Sequence, residues 1–352
     1  MVRQVEDEIG VVNMAIGAAH AGVRSMCATS GGGFALMSEG LGLSAMMETP
    51  VVVIDCQRAG PSTGVPTKTE QGDLWQMLGA AFGDYPRVIA CPVDIGDSFE
   101  IIAEIFNIVD RFQCPGIVLS DLLLTEGRLS VDPKDLDFAP VIDRGELITS
   151  SEAPHNGGYK RYKITDSGVS PRAIPGIGGF THTAASDEHD EDGVLISDEF
   201  TNPAKRRAMM EKRMRKVAGI AAAVPPPELR GPSDAEITLI GWGSTKGVIE
   251  EACEILTEQR ISANQLQIRW LVPLHGDAIL DTLNDARHTI IVENNYSGQF
   301  ARYLRSETSF VADGHIRKYD GEPFMPHHIV EAVKEQLSGM TKLSVPRHEV
   351  LV

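Results

Sequence analysis

The chain has few cysteines and a shortage of positive charge. Its 352 residues include five cysteines (Cys27, Cys56, Cys91, Cys114 and Cys253), an odd and scattered set without a C-x-x-C pair. That usage fits reduced thiols in a cytoplasm. It argues against a zinc or iron–sulfur centre ligated by this chain alone. Lys and Arg number 32 against 49 Asp and Glu, a net charge of −17. Phosphate contacts need clustered cations, so nucleic acid is not an expected partner. The same charge disfavours this chain as the main dock for another acidic protein. No apolar run approaches the length of a membrane span. No basic-plus-apolar leader opens the sequence, so a cytoplasmic location is the expectation.

What is present is material for buried cores. Hydrophobic residues make up 42% of the chain, and its length suits two domains of ordinary size. The most informative stretch runs from residue 50 to 73. The apolar run Pro50 to Ile54 reads as a buried strand. It breaks into a loop, Asp55 to Asp73, dense in Gly, Pro, Ser and Thr and carrying a lone arginine, Arg58. Loops at the carboxyl ends of parallel strands are where α/β proteins bind ligands. A guanidinium fork beside hydroxyl donors suits a carboxylate. The plain alternative is a solvated turn with a surface arginine; the donor density favours a small-anion site.

Three zones follow along the chain. Residues 9 to about 125 alternate helix and strand patterns. Helices are predicted over 9–20, 34–47 and 98–111, and strands over 25–29, 50–55, 87–91 and 116–120, with Ser30-Gly31-Gly32-Gly33 as a loop. Such βα alternation implies a mostly parallel sheet covered on both faces. The zone from about 128 to 232 is rich in Gly, Pro, Asp, Glu and His. It carries one basic helix, 204–223, whose role reads as packing or as salt bridging to the acidic loop before it, although a charge run of this kind is usually a solvated face. Pro225-Pro226-Pro227 marks a linker. From Ala235 the βα rhythm returns: 237–245 reads as a strand running into a Gly-rich loop, with further strands over 266–271 and 288–293 and helices over 246–258 and after Ser297. The expected divisions are therefore 1–127, 128–234 and 235–352.

Three other motifs carry less. Gly241-Trp242-Gly243-Ser244-Thr245 could bind phosphate at a helix N-terminus, but it lacks the G-x-G-x-x-G spacing and reads better as a tight strand–helix turn. Asp187 to Asp192 holds carboxylates and a histidine competent to bind metal, yet a solvated loop or an ion-pairing partner for the basic helix is the better reading. His327-His328 has no acid or cysteine at ligand spacing and is expected at the surface.

Several motifs together resemble the α subunits of 2-oxoacid:ferredoxin oxidoreductases, the 2-oxoglutarate type above all. They are Val5-Glu6-Asp7-Glu8, Thr29-Ser30-Gly31-Gly32-Gly33, Arg58 to Thr67, Glu70-Gln71-Gly72-Asp73-Leu74, Gly168 to Arg172, Glu188 to Gly193, Gly241 to Thr245, Glu293 to Gln299 and Lys318 to Gly321. They span essentially the whole chain in order. The resemblance implies an α/β fold: a thiamine-diphosphate pyrimidine-binding domain followed by a transketolase C-terminal-like doubly wound domain. It also implies an additional N-terminal stretch ahead of Val5, with a Tyr-Pro-Ile-Thr-Pro-type loop, so the first domain is expected to lack its first strand here. Gly32 stands where relatives usually carry proline.

By the same resemblance Glu8 contacts N1′ of the thiamine aminopyrimidine, with Ser30 and Gly31 as further cofactor contacts. Taken alone, Glu8 reads as a first-turn glutamate complementing a helix dipole. Arg58 is implied to hold the carboxylate of a 2-oxoacid, with Ser62, Thr63 and Thr67 as hydroxyl donors. No metal is assigned to this chain: Mg²⁺, the diphosphate and a [4Fe–4S] cluster are implied to belong to a β subunit, with CoA as co-substrate and ferredoxin as electron acceptor. Two further readings are a non-catalytic assembly subunit and a transketolase-like enzyme. The single arginine of the 58–67 loop argues against sugar phosphates, which call for more cations.

Overall fold

A computed structural model of the protein describes residues 1–148, 158–196 and 202–347. Its strands are β1 (Met26–Thr29), β2 (Val51–Gln57), β3 (Val88–Ala90), β4 (Pro115–Asp121), β5 (Leu147–Ile148), β6 (Arg172–Ala173), β7 (Leu229–Arg230), β8 (Ile237–Trp242), β9 (Ala263–Ile268), β10 (Trp270–Val272), β11 (Thr289–Glu293), β12 (Gly314–Arg317) and β13 (Leu343–Ser344). Its helices are α1 (Glu8–His20), α2 (Gly31–Met46), α3 (Leu74–Leu78), α4 (Ile95–Phe112), α5 (Leu122–Glu126), α6 (Pro203–Ala223), α7 (Lys246–Glu258), α8 (Gly276–Asn284), α9 (Gln299–Thr308) and α10 (Pro326–Leu337). Among the described residues no helix is long and apolar enough to cross a membrane.

Two mostly parallel sheets form the frame. The first runs β1-β2-β4-β3-β10 and the second β13-β12-β11-β8-β9-β7. Every residue of β4 is buried. A continuous apolar run is what a central parallel strand covered on both faces requires. On one face of the first sheet, α4 and α6 pack Ile101, Ile105, Val109 and Ile220 against Val52, Val88 and Val118. On the other, a single core joins Phe34, Met37, Leu41 and Leu74 of the first domain to Trp242, Ile268 and Phe300 of the second. The outer face of the second sheet is closed by Ile249 and Leu256 of α7 and Ile329 and Val333 of α10.

Several elements differ from the sequence expectation. Ser30 to Gly33 is not a loop: Ser30 is the N-cap of α2 and the glycines are its first turn. Glycine weakens a helix, but Phe34, Met37 and Leu41, none of them exposed, supply the burial that outweighs it. The expected strand over 266–271 is two strands, parted at Arg269. The Arg269 guanidinium is drawn to Asp97 (2.7 Å) and Glu104 (2.6 Å) on α4. As a result β10 leaves its own domain and pairs antiparallel with β3. His328 is buried, and its Nδ1 accepts from Met325 N at 3.1 Å, closing the start of α10.

The basic helix is the largest correction. Its outer cations do bind the acidic loop: Arg213 makes a two-bond fork on Glu188 (2.9 and 2.7 Å), Arg206 joins it, and Lys205 reaches Asp190. Its inner face is not solvated at all. Lys212 and Lys216 are fully buried, each 2.5 Å from an oxygen of the buried Glu48. Arg161 adds a hydrogen bond to the Glu48 carbonyl at 2.6 Å. A second buried carboxylate, Asp110, gathers Arg24, Arg144 and Arg172 at 2.7, 2.7 and 3.3 Å. The irregular middle zone is thus anchored to the first sheet by two buried acids.

Burial alone raises the Glu48 carboxyl, but Lys216, Lys212 and Arg161 together hold it well below the usual range. Two ammoniums on one carboxylate leave an excess cation, and burial pushes Lys212 down to about 7. Glu48→Gln should cost about 3–5 kcal/mol of stability, because it strands buried cations. For a depressed acid the contribution is present above the unfolded pKa and fades as pH falls below it. The variant should therefore show both a lower urea midpoint and a shallower acid limb; an unchanged midpoint refutes the anchor.

Candidate functional site

The C-terminal ends of β1 and β2 open into a cavity of about 530 Å³ at the junction of the two domains. The first domain lines it with Gly31, Arg58, Ser62, Glu70 and Asp73, and the second with the loop Asn295–Gln299. The loop after β2 is folded back on itself: Val65 N donates to Ala59 O at 2.8 Å and Ala59 N to Lys68 O at 2.9 Å. Gly64 makes that turn with φ 54°, and a Cβ there would lie 1.9 Å from the Ala59 oxygen. Only glycine fits.

Arg58 is half-buried, and among the described residues its guanidinium makes no hydrogen bond or ion pair. Ser62 stands beside it on the cavity wall. Thr63 and Thr67 do not: both are exposed, and Thr67 lines a separate groove with Lys68, Leu122 and Glu322. Glu8 is half-buried at the first turn of α1, after the cap made by Asp7 on Gly10 N (2.6 Å). It leans over the first turn of α2. A Cβ on Gly33 would come within 2.7 Å of Glu8 Oε1 and 2.0 Å of Thr29 Oγ1, and one on Gly31 within 2.5 Å of Asp73 Oδ2. The glycines thus form a bare floor between two carboxyl groups, with Ser30 at its edge.

Sequence reasoning missed the acids of this cavity. Asp55 lies near the C-terminal end of β2, fully buried, in register with Thr29 of β1 and Leu119 of β4. Burial first, then the neighbouring Asp73, raises it well above the carboxylate range. Asp73 is raised as well, chiefly by burial. Glu70 is pushed up to about 7 by burial and by Asp320 and Asp73. The available signal was an ionisable residue near the end of an apolar strand. Burial also pushes the thiols up, Cys27 and Cys56 to about 11 and Cys91, Cys114 and Cys253 to about 12. None of them is an activated nucleophile.

Gln71 fixes the two walls relative to each other. Its Nε2 donates to Trp242 O (2.7 Å), its Oε1 accepts from Asn294 N (3.0 Å), its N–H reaches Asn294 O (2.7 Å), and its carbonyl accepts from Asn295 Nδ2 (3.1 Å). Gln299 adds bonds to Gly72 O (2.6 Å) and Trp75 N (3.0 Å). Buried Glu293 accepts from Phe300 N, Ala301 N and Asn295 Nδ2, orienting that loop. The 241–245 turn is structural: Thr245 Oγ1 bonds Trp242 N and O at 3.1 and 2.9 Å. Among the described residues no group of three or more His, Cys, Asp or Glu could hold a metal ion. His189 of the acidic loop is instead buried against Tyr162.

Gln71→Glu should destabilise the protein, because a carboxylate cannot donate to the Trp242 carbonyl. Leaving that buried carbonyl unpaired costs about 1–3 kcal/mol, visible as a lower thermal midpoint. A midpoint equal to wild type overturns the role given to Gln71.

Comparisons with known proteins agree with this geometry. The profile described as "Pyruvate flavodoxin/ferredoxin oxidoreductase, thiamine diP-bdg" matches residues 1–211, and "Transketolase, C-terminal domain" matches 229–344. The chain is 38% identical over 349 residues to the α subunit of 2-oxoacid:ferredoxin oxidoreductase 2 of Aeropyrum pernix, covering 98% of this chain and 53% of that one. It is 30% identical to 2-oxoglutarate synthase subunit KorA of Archaeoglobus fulgidus, covering 95% and 85%. A solved 2-oxoglutarate:ferredoxin oxidoreductase from Magnetococcus marinus, with 2-oxoglutarate, coenzyme A and succinyl-CoA bound, superposes with a TM-score of 0.84 at 35% identity over 95% of this chain and 57% of that one. The chain thus spans about half the length of several relatives it matches.

Proposed function

The chain belongs to the pyruvate flavodoxin/ferredoxin oxidoreductase family, and from that premise we propose that it is the α subunit of a cytoplasmic CoA-dependent 2-oxoacid:ferredoxin oxidoreductase that uses 2-oxoglutarate. The observation that carries the reading is Arg58, whose guanidinium lines a cavity between two domains and makes no hydrogen bond or close ion pair among the described residues. It binds and orients the C1 carboxylate of the 2-oxoacid as a planar two-donor fork, with the Ser62 hydroxyl beside it. The 2-oxoglutarate and coenzyme A in the Magnetococcus marinus structure support the choice of substrates.

The glycine floor and its flanking acids fit the aminopyrimidine of thiamine diphosphate. Side chains at Gly31 and Gly33 would collide with Asp73, Thr29 and Glu8, whereas a Cβ on Gly32 between them meets nothing within 4 Å among the described residues. Glu8 would hold the ring nitrogen through a shared proton, with Ser30 and Gly31 as further contacts. When bound, the cofactor supplies a nucleophilic carbon and an electron sink. The buried Glu293 behind the loop 295–299 keeps the second wall in place. The diphosphate, Mg²⁺ and a [4Fe–4S] cluster are assigned to a β subunit. Trp75 and Phe82, 44% and 84% exposed, line a groove that shares Ala35 and Gln76 with the cavity, an apolar face suited to that subunit.

Two substitutions test the assignment in the assembled complex. Arg58→Lys keeps the charge and loses the fork, so kcat/KM for the 2-oxoacid should fall about ten- to hundredfold, with KM for CoA little changed. A penalty on CoA alone moves Arg58 out of the oxoacid site. Glu8→Gln should leave cofactor binding largely intact and lower decarboxylation by roughly 10²–10⁴-fold. Near wild-type turnover of that variant contradicts the role of Glu8.

A further inference from the structure

Asp55 is enclosed near the end of β2, and neither of its oxygens receives a hydrogen bond from an N–H or O–H donor among the described residues. The carboxyl of Asp73 and the Arg58 guanidinium are the charged groups that act on it, Asp73 disfavouring its charged form and Arg58 favouring it. Two neighbouring buried carboxyls resist carrying two charges, so one of them holds a proton. Asp55, enclosed and with neither oxygen partnered, is that member. Asp73 is fixed by its own backbone, whose N–H donates to Gln57 Oε1 at 3.1 Å, while Gln57 is tied to Ser120 O at 3.1 Å. Asp73 in turn lies on the cavity wall together with Arg58. The pair therefore presents a single negative charge to the one cation of the cavity wall.

A 2-oxoacid carboxylate arriving at Arg58 takes that cation as its counterion. The pair then faces an anion without the guanidinium's full support, and its remaining charge is best removed by a proton. We propose that Asp55 and Asp73 act as one proton-sharing dyad that couples 2-oxoacid binding at Arg58 to uptake of a proton, Asp73 facing the substrate and Asp55 positioning it. The coupling rests on the assignment of Arg58 to the oxoacid carboxylate; the shared proton does not. The balance is simple. One proton enters from solvent as the anion binds. The held carboxylate leaves as neutral CO₂, its bonding electron pair staying on the former 2-oxo carbon. Arg58 then faces the dyad again, and the proton is released. The other ionisable groups facing the pair are Glu70 on the same wall, Cys56 and Asp121 at the neighbouring strand ends, and Glu8 across the glycine floor.

The test is calorimetric titration of 2-oxoglutarate into the assembled complex stripped of thiamine diphosphate, where binding proceeds without chemistry. Near neutral pH, in buffers of different ionisation heat, wild type should take up on the order of one proton per site. Asp55→Asn keeps the size of the side chain but stores no titratable proton, so its uptake should fall to near zero with affinity kept within about tenfold. Asp73→Asn provides a second variant if the first folds poorly. No uptake in wild type, or unchanged uptake in both variants, overturns the coupling. A separate infrared difference between wild type and Asp55→Asn at neutral pH reads the dyad itself. Loss of a protonated-carboxyl carbonyl band supports it, and no change overturns it. Absence of any binding heat in wild type overturns the Arg58 assignment and the coupling together, while the infrared band still decides whether the shared proton exists.

Discussion

The site depends on one side-chain amide. Gln71 is fully buried and answers both a carbonyl at the end of β8 and an N–H after β11. A glutamine meets both because its two ends differ: one donates and one accepts. The cavity has one wall from each domain, so its width is set by how those domains are registered. Apolar packing between Phe34, Trp242 and Phe300 holds them together but is non-directional. The Gln71 bonds and those of Gln299 convert adhesion into alignment. Arg58, Asp73 and the 295–299 loop face each other as a consequence.

Electrostatics divide in the same way between surface and interior. The chain carries an excess of seventeen negative charges, yet its buried ionic centres are cation-rich. Glu48 meets two lysines and Asp110 three arginines. These clusters tie a middle zone with little apolar periodicity onto the first sheet, a task usually done by hydrophobic burial. Such centres are costly to desolvate but severe when broken, so they specify one placement of α6 over others. The cavity inverts the pattern: Glu70 and Asp73 share its wall with one arginine, and burial raises both carboxyls.

Most of the frame was legible in the sequence because buried parallel strands write themselves as apolar runs. Val51–Gln57, Pro115–Asp121 and Ile237–Trp242 all followed that rule. Illegible features were those decided by distant partners. The glycines of α2 read as a loop until Glu8, Thr29 and Asp73 are seen pressing on them. Lys212 and Lys216 read as solvated until Glu48, more than 160 positions earlier, is found beneath them. Arg269 ends a strand only because Asp97 and Glu104 lie across from it. In the site, Arg58 stood out as a lone cation in a donor-rich loop. Asp55 and Gln71 did not, since neither a buried acid nor an interdomain amide has a local pattern.

The excursion of β10 has a mechanical meaning. Pro225-Pro226-Pro227 looks like a joint, and in a chain with two self-contained sheets it could act as one. Here the second domain lends three residues, Trp270–Val272, to the rim of the first sheet, directly after β9 in its own. The chain therefore crosses between the sheets twice more beyond the linker, and the covalent joint is bypassed by a hydrogen-bonded strap. Swinging one domain about the proline run would tear β10 from β3. The pair behaves as one plate rather than two leaves of a hinge, and any opening or shutting of the cavity is left to whatever covers its outer side.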